Sequence, residues 1–131
     1  MSFDVNGIEP DITGKQCLGF YLIQQQKSGV ITDSVDVAYL KFEDHWSTLH
    51  FEGETIFWKK SEMPLEPVNN CLSTRLILLN LNEVDGIVGC VLNKITYSSN
   101  EKTIFVDFEF TDGKTLKFKH YGDNDHTSIE Y

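Results

Sequence analysis

Apolar and polar residues alternate along much of this chain, and the alternation predicts β-strands. Successive side chains of a strand point to opposite faces, so a period of two places every second residue on a buried face. The clearest example is the stretch 104–110, whose apolar positions include Ile104, Val106, Phe108 and Phe110. Similar patterns predict strands at residues 17–25, 35–42, 48–52, 55–60, 87–97, 103–111, 115–121 and 127–131. We therefore expect a mainly β protein.

Two hairpins follow when the apolar faces of neighbouring strands are set against each other, because directly opposed residues share a face. In the second half of the chain, Phe110 is then opposite Leu116, and residues 112–114 form a three-residue loop. This pairing also brings opposite charges together: Glu109 with Lys117 and Asp107 with Lys119. In the first half, Phe42 is opposite Leu49, and a four-residue loop, 44–47, places Trp46 at its tip.

The two hairpins share a sequence pattern that predicts an internal repeat. Phe-x-Asp, a short turn and Thr-Leu-(His/Lys)-Phe occur at 42–51 and again at 110–118. Upstream, Gly-Phe-Tyr-Leu at 19–22 matches Gly-Cys-Val-Leu at 89–92. We predict a single domain, 1–131, with repeat copies at 15–60 and 86–131. Each copy is expected to form an antiparallel β-meander, and the two to pack as one sandwich or barrel-like unit.

The connector between the copies, residues 61–85, leaves one alternative open. Its prolines restrict the backbone near 63–67. Residues 71–82 fit a short helix, because Leu72, Leu76 and Leu79 have helical spacing, but the apolar run 76–79 also fits a strand.

Composition narrows the possible partners. The chain has 131 residues and a mass of 15.0 kDa, enough for one domain with a real core. It carries 20 Asp and Glu against 11 Lys and Arg, a formal net charge of −9. Such a chain repels a phosphate backbone, so we expect no nucleic-acid partner.

The termini and the cysteines predict a cytoplasmic protein. Residues 1–14 lack the basic and apolar regions of a signal peptide, and the apolar run 76–79 is far too short for a membrane span. Cys17, Cys71 and Cys90 are odd in number and widely spaced, which is typical of buried thiols in a reducing compartment.

No residue pattern predicts catalysis, a cofactor or a metal. His120 lies on a face patterned as core and His50 on a strand, so both are expected to be packed side chains. A Cys90–His120 pair is an alternative that the spacing does not favour. The stretch 123–126, Asp-Asn-Asp-His, lacks the Gly and Glu positions of a calcium loop and predicts a polar turn. We expect no enzyme, and neither catalytic, cofactor-binding nor metal-binding residues.

Acidic residues concentrate at the predicted loops, and Trp46 lies among them. An exposed aromatic side chain surrounded by carboxylates is typical of a protein interface. The alternative is that Trp46 folds onto the core and that the acids only keep the protein soluble. The predicted partner-binding residues are Glu43, Asp44, Trp46, Asp112, Asp123 and Asp125.

In its size, acidity and compact predicted scaffold the chain resembles the cognate immunity proteins of bacterial toxin–immunity systems, including those of contact-dependent growth inhibition. The resemblance implies a cytoplasmic inhibitor that binds a basic, often nuclease-like, toxin domain and occludes its active site. An acidic surface complements such a cationic cleft and speeds encounter. The resemblance implies no individual binding residue.

Two other functions fit the same sequence. One is a cytosolic adaptor or regulatory β domain that offers a strand edge or a concave face to a protein or peptide. The other is a small-ligand-binding β domain with a pocket lined by Tyr21, Tyr39, Phe108 and Phe118. The oligomeric state is open, and edge strands of the hairpins also allow a dimer.

Overall fold

The structure is a computed structural model that describes residues 2–131. These residues form ten strands and no helix. The strands are β1 (Asp4–Asn6), β2 (Cys17–Lys27), β3 (Val30–Phe42), β4 (His45–Glu52), β5 (Thr55–Ser61), β6 (Thr74–Asn80), β7 (Leu92–Ser99), β8 (Thr103–Phe110), β9 (Thr115–Tyr121) and β10 (His126–Glu130).

The strands form two sheets that pack face to face. The first sheet has six strands in the order β1-β5-β4-β3-β2-β6, and the second has four in the order β10-β9-β8-β7. Among these ten strands of residues 2–131, β1 and β5 alone pair in parallel, and the other neighbours are antiparallel. The predicted mainly β sandwich is therefore confirmed, and the sheets do not close into a barrel.

The core lies between the sheets and is built from the residues that alternate inward. Its largest fully buried side chains include Phe20, Phe42, Phe108 and Phe118. Phe108 meets Phe118 edge-on, with ring centroids 5.7 Å apart. Trp58 of the first sheet donates its indole N–H to the hydroxyl of Tyr97 in the second, at 2.9 Å.

Each segment of the predicted repeat forms a four-stranded antiparallel meander. Strands β2–β5 span 17–61, one residue past the predicted copy at 15–60, and β7–β10 span 92–130, within the predicted copy at 86–131. That the two meanders are copies of one repeated unit stays a prediction.

The register of the second hairpin differs from the predicted one by two residues. Phe108 lies opposite Leu116, and the loop is 111–113, where Gly113 adopts a φ of +93°. The predicted charge pairs are therefore wrong: Lys117 Nζ lies 3.6 Å from Asp107 Oδ2, and Lys119 pairs with Glu130. A shift of two residues keeps the same side chains on the buried face, so apolar alternation cannot distinguish the two registers.

The first hairpin differs by four residues, for the same reason. Ala38 lies opposite Leu49, and the strands are joined by the two residues Glu43 and Asp44. Glu43 adopts a φ of +53°, a conformation that a non-glycine residue enters at some cost. Trp46 therefore lies in β4, and its prediction as a loop tip is wrong.

The connector contributes a strand. Thr74–Asn80 forms β6 and pairs with β2, so the helical alternative for 71–82 is wrong and the strand alternative is confirmed. In the next segment, the predicted strand at 87–97 begins only at Leu92, and the residues before it form a turn that buries Ile87.

Candidate functional site

The meanders place their turns at two opposite ends of the sandwich. The β4–β5 and β9–β10 turns meet at one end, where the backbone N–H of Gly53 donates to Asp125 Oδ1 at 2.9 Å. We name this the acidic end. The β3–β4 and β8–β9 turns lie at the opposite end, joined by backbone hydrogen bonds through Gln16 and Val91.

A concavity of about 330 Å³ opens at the acidic end, and we name it the acidic concavity. Both sheets contribute to it, through β3, β4 and the β9–β10 loop. Neither lysine nor arginine is among the residues that line it, which are Asp33, Asp36, Val37, His50, Phe51, Glu52 and Asp125.

Asp33 is held in place by backbone donors from both sheets. Its Oδ1 accepts hydrogen bonds from the N–H of Thr127 at 3.0 Å and of Val35 at 3.3 Å. The pKa of Asp33 is raised from 3.8 to about 6. Burial is the main cause and the neighbouring Asp36 adds to it, while the two hydrogen bonds and His126 oppose the shift. The carboxyl group therefore joins the sheets and is costly to ionise.

Asp36 and His50 both line the acidic concavity, but His50 contributes little positive charge to offset its carboxylates. Burial raises the pKa of Asp36, and Glu52 and Asp125 raise it as well, while His50 opposes the shift. Burial, followed by Lys59, lowers the pKa of His50 below 6.5. His50 is thus mostly neutral near pH 7, and it stacks on Phe57 with ring centroids 4.6 Å apart.

His120 lies beneath the acidic end in the core, as the sequence pattern predicted. Its Nδ1 is 2.8 Å from Thr127 Oγ1, and its ring stacks on Phe51 with centroids 5.2 Å apart. Its Nε2 is 3.1 Å from Asp125 Oδ1, within ion-pair distance but not aligned as a hydrogen bond. Burial lowers the pKa of His120, so it adds little positive charge to this end near pH 7.

The structure divides the six predicted partner-binding residues between the two ends. Asp123 and Asp125 belong to the β9–β10 loop at the acidic end. Trp46 is half-buried on the outer face of the first sheet, where its ring contacts Tyr21 at a centroid distance of 5.9 Å. The remaining three lie in turns at the opposite end: Glu43, Asp44 and Asp112. One continuous surface through all six is therefore not formed.

Three lining carboxylates were absent from the predicted set. Asp33 and Asp36 lie on β3 and Glu52 ends β4, far in sequence from Asp125. The sequence pattern predicted these acids near loops, but Asp33 and Asp36 lie inside the longer strand β3, and their convergence with Asp125 depends on how the two sheets pack.

The opposite end holds a second, larger concavity of about 530 Å³. Its apolar lining includes Ile12, Phe42, Trp46 and Met63. The predicted pocket is wrong, because Phe108 and Phe118 are fully buried in the core. Tyr21 and Tyr39 face each other across β2 and β3 and are only half-buried.

The cysteines differ from one another. Cys17 is buried, Cys90 is half-buried beside Asp112, and Cys71 is exposed, which contradicts its predicted burial. Cys90 lies at the end opposite His120, so the structure does not bring that pair together.

Within residues 2–131, no three His, Cys, Asp or Glu side chains are arranged to hold a metal ion. Over the same residues, no helix has the length and apolar character to cross a membrane.

No protein-family model matches the chain, and no curated protein or solved structure is similar enough to indicate a relationship. Its function has to be inferred from its own residues.

Proposed function

We propose that this protein is an inhibitor that binds another protein. In this proposal it is the cognate immunity protein of a basic, nuclease-like bacterial toxin domain, acts in the cytoplasm, and covers the toxin's active site with its acidic end. The observation that carries the proposal is the acidic concavity, where four carboxylates converge without a lysine or arginine among the lining residues. Both its shape and its charge fit a protruding cationic side chain.

Electrostatics gives the physical reason. A site that binds phosphate groups is rich in Lys and Arg, and carboxylates can replace the phosphates as its counter-charges. Burial is the main cause of the raised pKa values of Asp33 and Asp36, so their negative charge is costly in the folded chain despite the hydrogen bonds to Asp33 and the nearby His50. A cation from a partner would relieve this cost. Clusters of shifted pKa values are also more frequent at functional sites than elsewhere.

The flanking turn extends the negative surface outward. Glu52 and Glu54 are exposed on either side of Gly53, and Asp123 is exposed on the neighbouring loop, where it pairs with Lys102 at 3.4 Å. These side chains would meet the partner first and accelerate its approach at low salt.

Charge reversal tests the proposal. The wild-type protein and the double variant Glu52→Lys, Glu54→Lys are used as baits for affinity capture from the native host. We expect the wild type to capture a basic domain and to inhibit its activity stoichiometrically. The double variant should bind that domain at least about tenfold more weakly, and wild-type binding should weaken steeply with salt.

A matched control variant changes the net charge by the same amount, but at positions away from the acidic concavity. Glu66→Lys, Glu83→Lys alters two exposed acids outside the acidic concavity and should bind like the wild type. Equal weakening of both double variants would show that only the net charge matters. A captured partner that tolerates the reversal at 52 and 54, or whose activity survives saturating wild-type protein, would refute the proposal.

The larger concavity at the opposite end supports a second candidate, a small-ligand-binding β domain. Its volume, about 530 Å³, is within the range of small-molecule sites, and Trp46 gives it an aromatic wall. A screen of small aromatic acids and amines by thermal shift would test it. Stabilisation that is lost in Trp46→Ala would support this candidate, and no stabilisation by any compound would count against it.

A further inference from the structure

We infer that the open edge of β6 is a pairing surface for a second copy of this chain. Two β6 strands would pair antiparallel around Ile77 and join two first sheets into one continuous sheet. This inference concerns an edge that is separate from the acidic concavity, and it does not depend on the proposed function.

The hydrogen bonds show which backbone groups of β6 point outward. Leu81 N–H donates to the carbonyl of Phe20 at 2.9 Å, and Ser28 N–H donates to the carbonyl of Ser73 at 2.7 Å. The backbone N–H and C=O groups of the odd-numbered residues in this segment therefore point towards β2. The backbone groups of the even-numbered residues point away from it, to the open side. Leu78 is one of the outward-facing residues, paired in position with Ile23 but with its N–H and carbonyl on the open side.

A side chain already imitates a neighbouring strand at one point of this edge. Asn69 Oδ1 accepts from the N–H of Leu76 at 2.7 Å, and Asn69 Nδ2 donates to the carbonyl of Leu76 at 3.0 Å. Within residues 2–131, no comparable side-chain cap is formed at Leu78. The edge is thus capped at one outward position and open at the next.

The other sheet edges are protected by short length, by packing or by bonds to neighbouring segments, whereas over residues 2–131 the edge of β6 has only Arg75 and the cap on Leu76. β1 has only three residues, which is too short to recruit another strand. β10 packs against β3, where His126 Nδ1 lies 2.9 Å from the carbonyl oxygen of Thr32. β7 carries the charged Lys94, 3.5 Å from Glu109, and its first residue bonds to the 14–15 segment.

The middle of β6 is apolar, whereas exposed edge strands usually carry charged residues or proline that prevent pairing with another strand. Residues 76–79 are Leu-Ile-Leu-Leu, and the loop before the strand exposes further apolar side chains. Leu65, Val68 and Leu72 are 83%, 82% and 103% exposed. An edge strand whose central residues are all apolar, with its one charged residue, Arg75, near one end, is the arrangement that recruits another strand.

A second copy fits this edge better than the basic partner proposed above. β6 contains Arg75 and no acidic residue, so it does not attract a cationic surface. Pairing around Ile77 places outward-facing Leu76 opposite Leu78 of the other copy, and Arg75 opposite Leu79. No like charges are opposed, and the cross-strand pairs nearest the axis are apolar. The pairing is two-fold symmetric: each copy contributes the same strand, so the interface closes as a dimer.

Asn69 competes with this dimer, because it occupies the backbone groups of Leu76 that the second copy needs. The side chain therefore has to move away when the strands pair. Removing it should expose Leu76 and strengthen the association.

Sedimentation equilibrium over a micromolar-to-millimolar series tests the inference, with four proteins compared: wild type, Leu78→Pro, Leu78→Ala and Asn69→Ala. The wild type should show a monomer–dimer equilibrium. Leu78→Pro removes one outward N–H from each copy, and proline is tolerated where the N–H faces solvent. Two lost hydrogen bonds should weaken the dimer about tenfold or more. Leu78→Ala keeps the N–H and should weaken it less, while Asn69→Ala should strengthen it.

Amide hydrogen exchange gives an independent measurement on the unmodified chain. In the monomer the N–H of Ile77, which faces β2, should be protected and that of Leu78 should exchange fast. Protection of Leu78 should rise with protein concentration.

Four outcomes would overturn the inference: a wild type that is monomeric at every concentration, a folded Leu78→Pro that dimerises like the wild type, no effect of Asn69→Ala, or constant exchange at Leu78. If the wild type is monomeric but Leu78→Pro weakens binding of the toxin domain, β6 accepts a strand of that partner instead of a second copy.

Discussion

Replacing Asp33 by asparagine separates the charge of this side chain from its hydrogen bonds. Asparagine has nearly the same shape and keeps an Oδ1 that can accept from the N–H of Thr127 and of Val35. It removes the ionisation that the acidic concavity disfavours. We expect Asp33→Asn to stabilise the protein at neutral pH.

The pKa shift gives the magnitude and the sign. A shift from 3.8 to about 6 corresponds to about 3 kcal/mol at about 1.4 kcal/mol per pKa unit. Asp33 is only half-buried, so solvent screening reduces this to about 1.5 kcal/mol. Because the folded-state pKa is the higher one, the folded protein binds the proton more tightly. The contribution to stability is fully present below the unfolded pKa and is lost as the pH rises through about 6.

Urea unfolding at several pH values measures this effect. The free energy of unfolding of Asp33→Asn should equal that of the wild type at about pH 3, below the unfolded pKa, and exceed it by about 1.5 kcal/mol at about pH 7. Asp33→Ala is the control, because it removes the charge together with the acceptor. It leaves the buried N–H of Thr127 without its partner and should be about 1–3 kcal/mol less stable than the Asn variant at both pH values. A difference between Asp33→Asn and the wild type that does not change with pH would refute the reasoning.

Three further perturbations test the packing and the chemistry of the chain. Gly19→Ala would place a Cβ 2.8 Å from Trp46 Cη2, so it should cost about 1–3 kcal/mol in urea unfolding, and Trp46→Leu in the same chain should recover part of that loss. Phe118→Ala empties a fully buried site and should cost about 3–5 kcal/mol by the same measurement; a cost below 1 kcal/mol would contradict its place in the core. Thiol labelling followed by mass spectrometry should modify Cys71 first, since hydrogen bonds lower its pKa, whereas burial raises the pKa of Cys17 to about 12 and should leave it unlabelled until the protein unfolds.

The faces of most strands could be predicted from the sequence, but their registers could not. Both hairpins were predicted with the right residues buried, and both were offset, by two residues at Phe108 and by four at Phe42. An even offset leaves every side chain on its face, so apolar alternation carries no information about it. The offset is decided by the turns, and Glu43 adopts a left-handed conformation that its residue type does not favour.

The sequence predicted that the candidate site is acidic, but not which acidic residues form it. The acidity and the position of the acids near strand ends were evident, yet Glu43 and Asp112 lie at the end opposite Asp125. Trp46 lies in a strand because the β3–β4 connection is tighter than expected.

The alternation of side chains, together with the charge of the chain, was sufficient to determine a β protein with an apolar interior and a negative exterior. These properties follow from local periodicity and composition. The convergence of Asp33, Asp36, Glu52 and Asp125 was decided only when the two sheets packed together, and the open edge at β6 only when that strand paired on one side with β2. Residues distant in sequence become neighbours through packing, and no local pattern in the chain records which of them will meet.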